Sequence, residues 1–544
     1  MRVADMIFKR GFCTAGHHWK RSAPTVEAPS PFLQDYLKKI ITANVYDVAN
    51  ETPLVYAKNL TKRMKNKIFL KREDLQPVFS FKLRGAYNRM YHLTADEKSR
   101  GVVACSAGNH AQGVALAAQK LDISASIVMP TFTPQIKVDS VRSLGALPIL
   151  FGSDFDQAKE ECLRIAEQEN RVVIPPFDDP FIIAGQGTVG LEIARQTSQP
   201  DVVFCCVGGG GLMAGVGAFL KNVWPETKLI GVETVDAAAM TQSLREGKRV
   251  TLDEVGLFAD GAAVKQVGEE CFRIAQHCVD EMVLVNNDEI CAAIKDVFED
   301  TRSVLEPAGA LAVAGCKRWI ATNAAEGQAL VCVTSGANMN FSRLRFVASR
   351  AELGAQTEAL ISVAIPEKPG SFSKIYEVIH PRNITEFSYR YADNSTALVI
   401  VGFGIANRDE IKSVLRELKE YGMEGLDLSE NELAKNHVRY LAGGRSPMTY
   451  FSPIRHEKIY RFSFPERPGA LRKFLETLQM RPGGSSWNVT LFHYRNYGSD
   501  FGRVLAGITV LPEEEVEFQT FLTSLGYPYV NENDNPVYQQ YMRL

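Results

Sequence analysis

The sequence predicts an α/β domain built on a mostly parallel sheet, followed by a pair of small α+β modules. Over residues 52–350, short β-branched runs alternate with helical runs of about 10–15 residues, the pattern of a sheet covered by helices on both faces. After residue 353 the texture changes and an internal repeat appears. Pro366-Glu367-Lys368-Pro369-Gly370-Ser371 returns 99 residues later as Pro465-Glu466-Arg467-Pro468-Gly469-Ala470. The third observation is one lysine, Lys82, which sits where two local rules are broken.

The N-terminus differs from the rest. Residues 1–25 hold Arg2, Lys9, Arg10, Lys20 and Arg21 against a single acid, Asp5, and lack a long apolar stretch. This predicts an organellar presequence over 1–30, with a mitochondrial type of processing site at Arg10-Gly11-Phe12-Cys13. A short basic leader fits mitochondria better than plastids, whose leaders are longer and serine-rich. A disordered cytosolic tail is the plainer alternative.

The first domain is expected over 31–350. Its strands are read at 102–105, 125–129, 202–207, 228–232 and 329–333, and helices at 109–120, 134–144 and 212–222. Residues 202–220 carry no charge over 19 positions, which invites a membrane reading. Six glycines, four of them consecutive, suit a strand, a loop and a helix instead. A linker is expected at 351–359, a first module at 360–436, and a second linker at 437–456 around Gly443-Gly444-Arg445-Ser446-Pro447. A second module is expected at 457–533 and a tail at 534–544. A further echo pairs Phe387-Ser388-Tyr389-Arg390 with Phe492-His493-Tyr494-Arg495 at an offset of 105, consistent with an insertion near 481–486.

Composition narrows the partners. With 61 basic and 63 acidic residues the net charge is −2, and no basic block suggests nucleic acid or an anionic membrane surface. The ten cysteines are scattered without C-x-x-C or metal spacing, and read as reduced core residues. There is no H-E-x-x-H, and no metal site is expected.

In Phe79-Ser80-Phe81-Lys82-Leu83-Arg84-Gly85-Ala86 a lysine stands between large apolar residues at the mouth of a helix predicted over 85–93. Cations are disfavoured at helix N-termini, and lysine is rarely held by apolar neighbours. A desolvated amine there is available as a nucleophile; the plain alternative is a surface lysine with a snorkelling stem. Ser106-Ala107-Gly108-Asn109-His110 turns a buried strand into a helix, so its backbone N–H groups form an anion site, unless the turn is simply capped by Ser106 or Asn109. The tetraglycine Gly208 to Gly211 opens another helix and reads as a phosphate cradle. A competing dinucleotide fingerprint runs through Gly209, Gly211 and Ala214 to Glu233.

Together, in this order, these motifs resemble the pyridoxal-phosphate enzymes of the tryptophan-synthase β fold (fold type II), and within them the threonine and serine dehydratases. Ser335-Gly336-Ala337-Asn338-Met339-Asn340-Phe341 and Glu306-Pro307-Ala308-Gly309-Ala310 extend the likeness. The two C-terminal modules look like the paired ACT-like regulatory domains of biosynthetic threonine deaminases. The resemblance spans about residues 32–544. One departure is Ala107, where many members carry a second serine; only a side-chain hydroxyl is lost.

The resemblance implies roles. Lys82 would hold pyridoxal phosphate covalently and then act as base at the substrate Cα. Asn109 would bond the phenolic oxygen of the cofactor. Ser106, Ala107, Gly108, Asn109 and His110 would grip the substrate carboxylate. Gly208, Gly209, Gly210, Gly211 and Leu212 would cradle the phosphate, and Ser335 would face the pyridine nitrogen. A hydroxyl there makes a weaker electron sink than a carboxylate, which suits prompt loss of a β-leaving group. The implied reaction turns L-threonine into 2-oxobutanoate and ammonia, with L-serine as a second candidate substrate. The modules would bind isoleucine, with valine as an alternative effector, and Tyr389 and Tyr494 are candidates to line those sites. Ordinary cross-strand packing is the plain reading of both tyrosines. A homotetramer in mitochondria is implied. The alternatives are a serine/threonine dehydratase or racemase of the same fold, a nicotinamide-dependent oxidoreductase, and a non-catalytic amino-acid sensor.

Overall fold

The computed structural model describes residues 18–21, 30–131, 133–368, 370–390, 396–431, 434–435, 456–465, 470–479, 487–495 and 501–535. The processing motif 10–13, the 443–447 linker, most of the second P-E-x-P-G turn, the 481–486 insertion and residues 536–544 lie outside them. The chain divides into two compact units, residues 1–354 and 355–544.

The first unit holds eleven named strands: β1 (His18–Lys20), β2 (Leu54–Tyr56), β3 (Lys67–Arg72), β4 (Val102–Cys105), β5 (Ala125–Met129), β6 (Leu147–Leu150), β7 (Val172–Val173), β8 (Val202–Cys206), β9 (Lys228–Thr234), β10 (Glu281–Val285) and β11 (Ala329–Thr334). They form two sheets rather than one. Seven strands run β1-β10-β9-β8-β11-β3-β2, with only β1 and β2 antiparallel to their neighbours, and four parallel strands run β6-β5-β4-β7. Strands β4 to β7 are consecutive in the chain and find their partners among themselves, as sequential strands usually do. Residues 202–220 become β8, the glycine loop and most of helix Gly211–Val223. Among the described residues no helix is long and apolar enough to cross a membrane.

Strand β1 lies within the span read as a leader. Its residues pair with β10, Lys20 Nζ reaches Glu281 at 3.3 Å, and Arg21 Nη1 donates to the His277 carbonyl at 3.0 Å. Of the basic residues counted as leader charge, Lys20 therefore meets the edge of the large sheet and Arg21 the end of helix Glu269–Cys278. At the other end of the unit, helix Leu344–Gly354 runs into the expected 351–359 linker and a strand resumes at Glu358, so only residues 355–357 connect them.

What places the lysine motif is a buried ion cluster. Arg84 grips Glu73 with Nε and Nη2, both at 2.8 Å, and Glu192 with Nη1 at 2.5 Å and Nη2 at 3.0 Å. Lys71 Nζ donates to Glu192 at 2.6 Å, and all four side chains are fully buried. Two cations balance two anions, so no net charge is interred. Burial alone would raise the Glu73 carboxyl, but the Arg84 guanidinium holds it below the usual carboxylate range. The cluster ties β3 and the turn after it to helices Lys82–Tyr91 and Pro180–Gln196.

The second unit is one antiparallel sheet of eight strands: β12 (Glu358–Pro366), β13 (Ile384–Arg390), β14 (Thr396–Gly404), β15 (Glu424–Asp427), β16 (Glu457–Pro465), β17 (Val489–Arg495), β18 (Phe501–Thr509) and β19 (Tyr529–Asn531). Their order is β15-β12-β14-β13-β17-β18-β16-β19, so the two repeats meet at β13 and β17. There Phe387 opposes Tyr494 and Tyr389 opposes Phe492. Each copy's Phe-x-Tyr thus faces its counterpart reversed, about a local two-fold. The duplication extends to polar detail: Thr385 donates to Glu358 as Thr490 does to Glu457.

Arg84→Met leaves Lys71 alone against two buried carboxylates, and breaking such pairs costs about 3–5 kcal/mol. The urea midpoint of the full chain should fall accordingly at pH 7. The unpaired carboxylate has its folded-state pKa raised, so the penalty shrinks as pH falls towards about 5 and protonation removes the charge. An unchanged midpoint at pH 7, or a gap that widens in acid, would contradict this assignment.

Candidate active site

Two loops clasp each other at the end of the large sheet. Phe81 N donates to Ser335 O at 3.2 Å, Ala337 N to Phe79 O at 2.9 Å, and Ser80 bridges Gly336. The lysine loop and the serine loop are thereby one structural piece. Phe79 adopts a left-handed φ of +54°, rare for a bulky residue and the kind of strain that collects at functional sites. The helix that follows begins at Lys82 itself, three residues before the predicted start at 85, and Phe81 supplies no side-chain cap.

The Lys82 amine is partly buried and donates to the Pro176 carbonyl at 2.8 Å. It lies 5.5 Å from the Phe81 ring centroid and 6.0 Å from that of Phe177. Burial pushes its pKa down to about 8, against a smaller upward pull from Cys206, Cys271 and Glu306. Both thiols are themselves raised by burial, so near pH 7 they offer little negative charge. About a tenth of the amine is then neutral at pH 7, far more than for an ordinary lysine.

Phe177 also packs against the glycine loop. A Cβ on Gly209 would fall 2.2 Å from the Phe177 ring, and Gly210 takes φ +100° as the N-cap of helix Gly211–Val223. No side chain caps that helix, whose first-turn amides, with Leu212 among them, carry the positive end of its dipole. Cys206, just before the loop, donates to Ser335 Oγ at 3.3 Å. Lys82, the glycine loop and Ser335 are therefore brought together.

Helix Asn109–Leu121 completes the group. Its N-cap is Gly108, not Ser106 or Asn109, and no side chain caps it. Ser106 Oγ instead accepts from Gly108 N at 3.2 Å, and a Cβ on Gly108 would meet nothing within 4 Å. The space beside Gly108 is therefore open. His110 is different: its ring is buried, its Nε2 is bonded to the Ile174 carbonyl at 2.9 Å, and burial depresses its pKa to about 3. Only its backbone N–H is available to an anion.

Asn109 carries the bond that residue spacing could not reveal. Its Nδ2 donates to Glu306 Oε1 at 2.5 Å, and its Oδ1 accepts from Asn338 Nδ2 at 2.7 Å. Glu306 is buried, and desolvation raises its carboxyl to about 7. Both partners lie inside motifs visible in the sequence, yet nothing local singles them out.

The dinucleotide alternative fails on Glu233. Its carboxylate is buried and accepts from Met240 N, Thr241 N and Thr241 Oγ1 at 2.7–2.9 Å, so it serves helix Ala239–Glu246 and is not free for a ribose. In the second unit, Tyr389 and Tyr494 are both buried on the central strands; Tyr389 donates to Glu367 at 2.5 Å and packs edge-on against Phe372 at 4.8 Å. Asn488, from the other repeat, also donates to Glu367, at 3.2 Å.

A family model described as pyridoxal-phosphate dependent enzyme matches residues 45–336, and one for the C-terminal regulatory domain of threonine dehydratase matches 349–438 and 452–542. The chain is 52% identical over 525 residues to the mitochondrial threonine dehydratase of Saccharomyces cerevisiae, covering 94% of this chain and 89% of that one. It is 52% identical over 512 residues to the biosynthetic L-threonine dehydratase of Burkholderia multivorans, covering 93% and 99%. Among solved structures it is similar to the processed form of threonine deaminase isoform 2 from Solanum lycopersicum, at 50% identity and TM-score 0.60, covering 62% of this chain and 97% of that one.

Proposed function

The chain belongs to the pyridoxal-phosphate-dependent threonine dehydratases, and on that premise we propose which of its residues carry the conversion of L-threonine to 2-oxobutanoate and ammonia. The cofactor supplies the electron sink that lets an α-amino acid lose its Cα proton and then its β-hydroxyl. The observation that carries the assignment is Lys82: a partly buried amine, poised near pH 8, with a backbone carbonyl and aromatic faces around it in place of a carboxylate.

The surroundings fit the group. The glycine loop is a cradle that a Cβ would fill, with an uncapped helix N-terminus behind it suited to a dianionic phosphate. Gly208, Gly209, Gly210, Gly211 and Leu212 hold the phosphate through backbone N–H groups. Ser335 would meet the pyridine nitrogen and Asn109 the phenolic oxygen. The backbone of Ser106, Ala107, Gly108, Asn109 and His110 orients the substrate carboxylate. With the carboxylate so held, the Lys82 amine would be the base that takes the Cα proton.

Residues 355–544 form the regulatory unit. Its effector is isoleucine, the amino acid to which 2-oxobutanoate leads, and Tyr389 and Tyr494 line its sites. The leader directs the chain to mitochondria, as the name of the yeast relative suggests for that protein. Because β1 is part of the sheet, cleavage falls before His18. Assembly as a tetramer is part of the same reading.

Borohydride reduction of the holoenzyme should trap the cofactor on the peptide containing Lys82, and Lys82→Ala should abolish both the visible absorbance and 2-oxobutanoate formation. Trapping elsewhere removes Lys82 from its role. Isoleucine should inhibit the intact enzyme and leave a chain lacking residues 355–544 insensitive, with couplings of this kind typically about 1–3 kcal/mol. An intact enzyme indifferent to isoleucine would reduce the modules to assembly elements. N-terminal sequencing of the mature protein should find a start upstream of residue 18 in a mitochondrial fraction; an intact Met1 in the cytosol would reject import.

A further inference from the structure

An asparagine side chain can present either its donor or its acceptor end to a ligand, and its surroundings decide which. Around Asn109 that decision is made by one fixed acceptor, relayed through Asn338, and by the ionised form of the Glu306 carboxyl. At one end is the Val78 backbone carbonyl, which can only accept, so Asn338 must turn Nδ2 towards it, at 2.8 Å. The same Nδ2 donates to Asn109 Oδ1 at 2.7 Å. At the other end the Glu306 carboxyl accepts from Asn109 Nδ2 at 2.5 Å. Flipping Asn338 would set its oxygen against both Val78 O and Asn109 Oδ1, and flipping Asn109 would set oxygen against the Glu306 carboxylate and nitrogen against the Asn338 nitrogen. The orientation of Asn109 is thus dictated from Val78 to Glu306, with one Nδ2 hydrogen still to be placed.

Glu306 is itself held rigidly. It occupies the N-cap position of helix Pro307–Asn323, its N–H donates to Gly336 O at 3.2 Å, and a Cβ on Gly336 would come within 2.5 Å of its Oε1. The charged groups that bear on it are Asp260, Lys137 and Arg343, and Lys82 feels its charge in turn. Lys137 and Arg343 both reach Asp260, at 3.1 and 3.4 Å, so the ionic neighbourhood beyond Glu306 sets two cations against one anion. The fold places Glu306 and Asn338 on opposite flanks of Asn109 from segments 197 and 229 residues away.

We propose that Glu306 and Asn338 are positioning residues that lock the Asn109 amide with its donor end towards the phenolic oxygen of the cofactor. The inference rests on the reading that Lys82 and Asn109 hold that cofactor. Asn109 then stabilises the deprotonated phenol, which lowers the pH at which the visible band of the lysine-bound cofactor titrates. Loosening Asn109 should raise that pH even where catalysis barely changes.

The experiment is a spectrophotometric pH titration of purified holoenzyme. Asn109→Ala should raise the midpoint of the band, and Asn338→Ala should raise it in the same direction by about half a pH unit or more, the worth of one ordinary hydrogen bond. In the Asn109→Ala background, Asn338→Ala should add nothing, because its effect passes through that amide. Glu306→Gln, which keeps the volume but can turn either amide end to Asn109, should give a shift of the same sign and carries the comparison if Asn338→Ala does not fold. Midpoints unmoved in both variants, or equal shifts with and without Asn109, overturn the proposal. A wild-type holoenzyme without a visible band, or one whose band survives Lys82→Ala, would instead overturn the cofactor assignment on which it rests.

Discussion

Arg84 stands two residues after Lys82, and its guanidinium is the knot that holds the candidate site in shape. Four buried charges sum to zero, and each is satisfied by bonds to the others. Such a cluster adds little net stability compared with apolar packing, because desolvation offsets the attraction. Its value here is geometric. It allows one relative placement of β3, the lysine helix and helix Pro180–Gln196, since any slip would strand a charge. The helices meet so closely that a Cβ on Gly85 would fall 2.3 Å from Gln186 Nε2. Lys82 is therefore delivered by a rigid helix start rather than by a loop, although nothing in its own turn caps that start.

The placement has an electrostatic corollary. Glu73 and Glu192 are spent on the cluster behind the lysine helix, and the Lys82 amine has around it a carbonyl, two aromatic rings and two thiols raised by burial. The carboxyl that does bear on the amine, Glu306, has its pKa raised to about 7 by burial, so it carries only part of its charge at pH 7. An amine in such surroundings is more readily neutral than an ordinary lysine because little compensating charge faces it.

Much of this was legible in the sequence. The β-branched runs at 102–105, 125–129, 202–207 and 329–333 became strands because buried parallel strands are apolar throughout. The Ser-Ala-Gly-Asn-His and tetraglycine turns mark themselves by composition. The split into two sheets was not legible, since strand periodicity says nothing of which strands pair. The helix start was misplaced by three residues because Gly85 resembles a boundary, whereas it serves a close helix contact. The residues 18–21 read as leader because Lys20 and Arg21 look the same whether they steer import or meet Glu281 and a helix end. Glu306 and Asn338 escaped for a deeper reason: their partner is some two hundred residues distant, and hydrogen bonds over that range leave no local trace.

In the second unit, the central pairing of β13 with β17 joins two copies of one fold edge to edge. A single copy would end in an open strand carrying Phe387 and Tyr389, a template for pairing with any other chain. Two separate copies could cover those edges only by meeting in solution, so the sheet would come apart on dilution. Tandem duplication turns that encounter into an intramolecular one, at an effective concentration fixed by the connecting segment. The eight-stranded sheet is in this sense a dimer that cannot dissociate, and its integrity is independent of how much of the protein a cell happens to make.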